Sequence, residues 1–197
     1  MKMPKSTETG MFSDFLNEHS RCFEKLAGLE ADIQKAAALM IAALKKGGRV
    51  LVCGNGGSAA DAQHFAAELV GRFEAERPAF AALALTTDTS IMTAVANDYA
   101  FSQVFARQVT ALGRTGDVLV GISTSGMSEN VGEAFKIARA GGLATIGLFG
   151  SDGGRLKTLC DTAVLAPALR TARIQEAHVF ILHFWAAAIE KRLVDAH

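Results

Sequence analysis

Residues able to move protons or hold a metal are few in this chain, so their spacing is informative. His64 and Glu68 are four apart in AADAQHFAAELV, a segment of helical character, and so share one helix face. Gln175, Glu176, His178 and His183 lie on a second helical segment near the carboxyl end. At ~100° per residue, Gln175, Val179 and His183 fall on one broad face with Leu182 and Ala186. Ile174, Ala177, Ile181 and Ala188 fall opposite. A helix apolar on both sides is expected to be buried. A buried His or Gln must then find a partner. His64, Glu68, Gln175 and His183 can therefore converge as two nitrogens and two oxygens around a divalent metal. Zinc suits imidazole and carboxylate; an amide oxygen is a weak ligand and leaves the site exchangeable. The plainer alternative is that each histidine is a satisfied core or interface residue. His19 and His197 read as surface residues.

Two loops carry a different chemistry. The first is Cys53-Gly54-Asn55-Gly56-Gly57-Ser58; the second is Ser123-Thr124-Ser125-Gly126-Met127-Ser128. Each follows an apolar run and opens onto a helix. Free N–H groups and the positive end of the helix dipole favour an anion there. The hydroxyls of Ser123, Thr124, Ser125 and Ser128 suit one phosphate monoester. Neither loop has the Lys of a Walker A loop, which argues against nucleoside triphosphate hydrolysis. Helix capping alone by Ser58 and Ser128 is the bland reading. Gly54, Gly56 and Ala59 also match G-x-G-x-x-A, with Asp88 as the acidic partner. That spacing overshoots, and the Ser/Thr loop has no job in a dinucleotide site, so no nucleotide cofactor is expected. Asn97-Asp98 reads either as a turn or as a sugar-hydroxyl contact.

The elements that must position these groups follow from the apolar pattern. RVLVCG, PAFAALALT, DVLVGIS, LATIGLFG and TAVLAP are short, continuously apolar runs, as in parallel strands covered on both faces. Helical segments lie between them, at about 58–71, 90–112 with an interruption near Asn97-Asp98, 128–140, and briefly after Asp152. A long helix spans about 172–194. Two amphipathic helices, about 12–46, come first, the second closed by Gly47-Gly48. The class is α/β, a three-layer doubly wound sheet of about five parallel strands. One domain over 1–197 is expected, with its core at about 49–194.

Composition agrees. The chain has 197 residues, half of them hydrophobic, and 20 basic against 20 acidic residues. A phosphate-neutralising nucleic-acid binder shows a basic excess, so no nucleic-acid partner is expected. Cys22, Cys53 and Cys160 show no paired spacing and read as free thiols; Cys53, beside the first loop, reads as packing. The start, MKMPKSTETGMFSDF, has no apolar h-region, and Ala177 to Ile189 is too short to span a membrane. The expectation is a cytoplasmic protein without a membrane partner.

GNGGSAADAQHFAAEL, Asn97-Asp98-Tyr99, GDVLVGISTSGMSENV and RIQEAHVFILHF together resemble the sugar isomerase (SIS) domain family, and within it the phosphoheptose isomerases. The similarity runs from about residue 12 to 193. The resemblance implies conversion of D-sedoheptulose 7-phosphate to D-glycero-D-manno-heptose 7-phosphate, which supplies heptose to lipopolysaccharide and related surface glycans. It implies cytoplasmic homotetramers with active sites between subunits, and one zinc per subunit. By that resemblance Ser123, Thr124, Ser125 and Ser128 hold the phosphate. Asn55, Gly56, Gly57, Ser58, Glu68, Asn97, Asp98 and Gln175 line the sugar. His64, Glu68, Gln175 and His183 form the metal set, and Glu68 with His183 is the acid–base pair.

Those residue types fit the chemistry. Aldose–ketose isomerisation moves a proton between C1 and C2 through a cis-enediol(ate), with a second group shuttling the oxygen protons. Glu68 fits the base and His183 the shuttle; zinc would stabilise the developing enediolate. A carboxylate pinned to zinc is a poorer base, so either the metal shifts or one residue serves both roles at different steps. Some isomerases of this family carry an acidic residue three before the Gln; here that position is Ala172. RTARIQEAH also resembles a catalytically silent SIS relative that binds the bacterial replication initiator. That relative lacks the Glu and second His present here. A regulator that only senses sugar phosphate would need neither. The Phe/Leu stripes of the first two helices either cover a sheet edge or pack on other subunits.

Overall fold

The structure, a computed structural model, describes residues 8–194. His197 and the extreme amino terminus lie outside the described residues. Among the described residues seven α-helices and five strands follow in chain order. They are α1 (Glu8–Leu26), α2 (Glu30–Lys45), β1 (Val50–Gly54), α3 (Gly57–Val70), β2 (Ala82–Ala84), α4 (Thr89–Asp98), α5 (Val104–Leu112), β3 (Val118–Ser123), α6 (Glu129–Ala140), β4 (Ala144–Gly150), β5 (Thr162–Ala166) and α7 (Thr171–Val194). The five strands form one parallel sheet in the order β2-β1-β3-β4-β5.

Strand residues alternate between two cores. Val50, Val52, Val118, Val120, Ile122, Ile146 and Leu148 face α2, α3 and α7. Leu51, Cys53, Leu119 and Phe149 face α5 and α6. Burial on both faces explains the continuous apolar runs of β1 and β3. Strand β5 is an edge and alternates buried with half-buried positions. The other edge, β2, is only three residues of the nine-residue run read from the sequence. Pro78 opens that run without a ladder donor, as edge strands tolerate.

Helix α2 lies over the sheet mainly on the side of edge strand β5 and packs on α7, and α1 leans on α7. Helix α7 is not buried all round. It buries Ile174, Ala177, His178, Ile181, Leu182, Trp185, Ala186 and Ile189, leaves Val179 and Ala188 half-buried, and exposes Phe180 and Phe184. His19 is half-exposed at the surface, where its Nδ1 pairs with Glu176 at 2.9 Å and its ring stacks on Phe23.

Strand order reverses between β1 and β3, since the chain passes from β1 outward to β2 and returns to β3. The loops after β1 and β3 diverge there and open a crevice beyond the strand ends, where such sheets bind ligands. Those are the two loops singled out from the sequence.

Candidate active site

The two loops are tied to each other. The side-chain amides of Asn55 and Asn130 bond reciprocally, at 2.9 and 2.8 Å. Asn130 is buried on the first turn of α6 and shares its oxygen with the Val131 N–H. This link passes unnoticed in the sequence, where Asn130 reads as an ordinary polar residue of a helix start.

In the second loop, Ser123 Oγ and Ser128 Oγ lie 2.9 Å apart, and Ser125 Oγ accepts from the Met127 N–H. Thr124 is half-buried and Ser125 exposed. Gly126, at φ +63°, is pressed against Gly153 and Gly154 of the loop after β4, so only a residue without Cβ fits. The Leu156 N–H donates to the Gly126 carbonyl and locks the loop from behind.

Capping is not what Ser58 and Ser128 do. Helix α3 starts one residue earlier, from Gly56 at φ +56°, with no side-chain cap. Ser58 is buried, with its N–H on the Asn55 carbonyl. Ser128 stands at the N-cap position of α6 but spends its hydroxyl on Ser123. Asp88 caps α4 by accepting from the Ile91 N–H at 2.9 Å, which removes the acidic partner of the dinucleotide reading. Burial pushes the Cys53 thiol up to about 12, so it stays a neutral packing group.

Helices α3 and α7 run side by side, and they bring three donors together. His64 Nε2 lies 2.8 Å from His183 Nε2 and 3.5 Å from Glu68 Oε1. All three ligand atoms lie within 4.8 Å of one another. Two imidazole nitrogens and one carboxylate with an open side is the donor set of a catalytic zinc site. Two facing imidazole nitrogens also have little to offer each other without a cation or a shared proton between them. The residues present therefore fit a divalent metal.

Gln175 precedes His183 by eight residues on α7, about 12 Å along the helix axis, and its amide rests on Gly57 at the start of α3. A Cβ at Gly57 would collide with that amide. Gly57→Ala is thus expected to displace Gln175 at small cost in stability, because the displaced group is the end of a flexible side chain. Steady-state kinetics check this. Gly57→Ala and Gln175→Ala should impair turnover to a similar degree, and the double variant should be no worse than either.

Asn97 and Asp98 close α4 on an exposed surface, and the Asn97 amide donates to Asp98 Oδ1 at 2.8 Å. They do not join the His64/Glu68/His183 group. Asp61, passed over in the sequence, lies one turn before His64. Burial raises its carboxyl to about 6 against the opposing pull of His64, and its Oδ2 is buried with no hydrogen-bond partner among the described residues. Its spacing of three from His64 and seven from Glu68 was the available signal.

The SIS domain family matches residues 14–150. A phosphoheptose isomerase of Nitratiruptor sp. is 54% identical over 177 residues, covering 89% of this chain and 95% of that protein. The chain belongs to the phosphoheptose isomerase family of SIS domains. The structure of a phosphoheptose isomerase from Neisseria gonorrhoeae aligns with TM-score 0.89 and 46% identity, over 94% of this chain and all of that one. One from Francisella tularensis aligns with TM-score 0.91 and 39% identity, again over 94% and 100%. Phosphoheptose isomerases are sugar-phosphate isomerases, and this chain is an enzyme of that class. The silent initiator-binding relative is not favoured.

Proposed function

We propose that this chain interconverts D-sedoheptulose 7-phosphate and D-glycero-D-manno-heptose 7-phosphate, supplying heptose for surface glycans, at a centre built from His64, Glu68 and His183. One observation carries the assignment of the centre: these three side chains converge from α3 and α7, and α3 springs from the loop at the sheet's switch point. His64 stands about 10 Å along α3 from Gly57, which leaves room for an extended sugar chain.

In this reading Ser123, Thr124, Ser125 and Ser128 hold the phosphate with the amino end of α6. Asn55, Gly56, Gly57, Ser58, Asn97, Asp98 and Gln175 line the sugar. Glu68 takes the proton from the carbon beside the carbonyl and returns it to the neighbouring carbon. His183 opens the ring and carries the proton between the two oxygens. Zinc held by His64, Glu68 and His183, with Gln175 turning from Gly57 as a fourth ligand, would supply Lewis-acid stabilisation of the oxygen charge.

The same reading includes a homotetramer working in the cytoplasm. Met11, Phe12 and Leu16 on α1 and Phe180 and Phe184 on α7 are exposed, and a subunit interface would cover them. Among the described residues no helix is long and apolar enough to cross a membrane.

The test is NMR of the protein with sedoheptulose 7-phosphate in deuterated water, with and without added zinc. The expected result is the aldose phosphate with deuterium at C2, formed faster with zinc. Absence of both product and exchange in either tube overturns the reading.

A further inference from the structure

The only fully enclosed ion pair of the molecule among the described residues stands next to this centre, and its bonds lead to two of the centre's members. Arg77 and Glu190 have side chains 1% and 7% exposed, with Arg77 Nε 3.2 Å from Glu190 Oε2. Arg77 folds back from the loop after α3 and takes the last carbonyls of that helix. Its Nη2 donates to the Glu68 carbonyl at 2.7 Å, and its Nη1 to those of Leu69 at 2.9 Å and Gly71 at 3.2 Å. Among the described residues no other side chain caps this end of α3, so the guanidinium satisfies the orphan carbonyls of the turn that carries Glu68. Phe80 covers the guanidinium at 4.0 Å.

Glu190 organises the other half. It lies on α7, seven residues or about two turns beyond His183. Its carboxylate accepts the N–H groups of Phe73, Glu74 and Ala75, at 3.1, 3.1 and 2.6 Å. Wrapping residues 73–75 around Glu190 sets the Phe73 ring beside the His183 imidazole, with centroids 5.5 Å apart.

A buried ion pair contributes little stability over an apolar pair of equal volume, because desolvation offsets attraction. What this one adds is direction. Each of its bonds runs to a backbone group or a partner at a fixed angle, and together they set the register of α3 against α7. We propose that Arg77 and Glu190 are positioning residues for the His64/Glu68/His183 centre, holding Glu68 through its own carbonyl and His183 through Phe73. The proposal rests on the function given above, since it takes that centre to be the one that binds metal and reacts.

Cobalt(II) is the probe, because its visible spectrum reports ligand geometry without turnover. Cobalt is titrated into the intact chain and its affinity read by chelator competition, for the parent, Glu190→Gln and Arg77→Lys. Outer partners of metal ligands are worth roughly 10–100-fold in affinity. Both variants are expected to lose that much cobalt affinity, change the spectrum and lose kcat by a similar factor. KM should stay within about twofold, because the phosphate loop on β3 is untouched; a general loss of fold would move both constants. A folded variant with the parent's spectrum, affinity and kcat overturns the proposal. Should both variants fail to fold, Phe73→Leu decides: it leaves the ion pair intact, and a parental spectrum and kcat there overturn the proposal too. A parent that neither binds cobalt nor isomerises overturns the functional reading and this proposal together. That result differs from silent variants beside an active parent.

Discussion

Replacing Glu68 by Gln is expected to reduce kcat by about 10²–10⁴-fold, the usual range for a positioned acid–base group. In barrier terms this is roughly 3–5.5 kcal/mol. The substitution keeps volume and shape and removes the proton-accepting charge. Glu68 is half-buried on α3 with its carboxylate 3.5 Å from His64 Nε2. An amide there cannot take a proton from carbon, and it is a weaker metal ligand than a carboxylate. The phosphate loop belongs to β3 and α6, so KM for the sugar phosphate should change little. Rate and KM measured on a variant with the parent's circular dichroism check this. A kcat within tenfold of the parent would move the base elsewhere. Asp61 would then be the next candidate, since it lies one turn before His64 and burial raises its carboxyl to about 6.

The initiator-binding and sugar-sensing readings give a different answer to the same variant. Neither uses a carboxylate as base, so Glu68→Gln would leave both intact. The convergence of His64, Glu68 and His183 has no role in either scheme.

The strands and the two switch-point loops were legible because burial on both faces and glycine-rich turns leave local signatures. Gly54 to Ser58 and Ser123 to Ser128 are contiguous, so their chemistry could be read as strings. The pairing of His64 with His183 was legible only as two separate helical faces, and their meeting needed the packing of α3 on α7. Helical phase puts Gln175 on the same broad face as His183, whereas its contact with Gly57 across the packed helices needed the structure. The bland alternative of a Ser58 cap fails because Gly56 makes the turn into α3 at φ +56°, which serine resists. Arg77 and Glu190 were invisible, because they are far apart in sequence and each resembles an ordinary surface charge. Burial of such a pair is a tertiary event.

His178 is expected to make the fold acid-sensitive between pH 6.5 and about 4. Its ring is fully buried between α7 and the sheet. Nε2–H donates to the Phe149 carbonyl at 3.0 Å, and Nδ1 has no partner among the described residues. Burial lowers its pKa from 6.5 to about 4, and the Phe149 carbonyl only partly offsets this. Below pH 6.5 the unfolded chain takes up a proton that the native ring refuses, so stability falls with pH until the native ring titrates too. The loss accumulates to about 3 kcal/mol by pH 4. Asp61 works against it. Its raised carboxyl binds a proton in the native state first, so its contribution grows as pH falls through about 6. Glu190 acts lower still. Burial raises its pKa, but hydrogen bonds from residues 73–75 and Arg77 outweigh that and hold it below the usual value. Its stabilisation is lost only as pH falls below the ordinary carboxylate range. The parent's curve mixes these three, so the informative quantity is the difference between parent and His178→Gln, which keeps a donor for Phe149 and cannot charge. Denaturant midpoints for both, measured from pH 4 to 7.5, should converge toward acid pH from a parent that is more stable near neutrality. Parallel curves across that range would show that His178 does not titrate as a buried neutral ring, and would place the acid lability of the fold in its carboxylates alone.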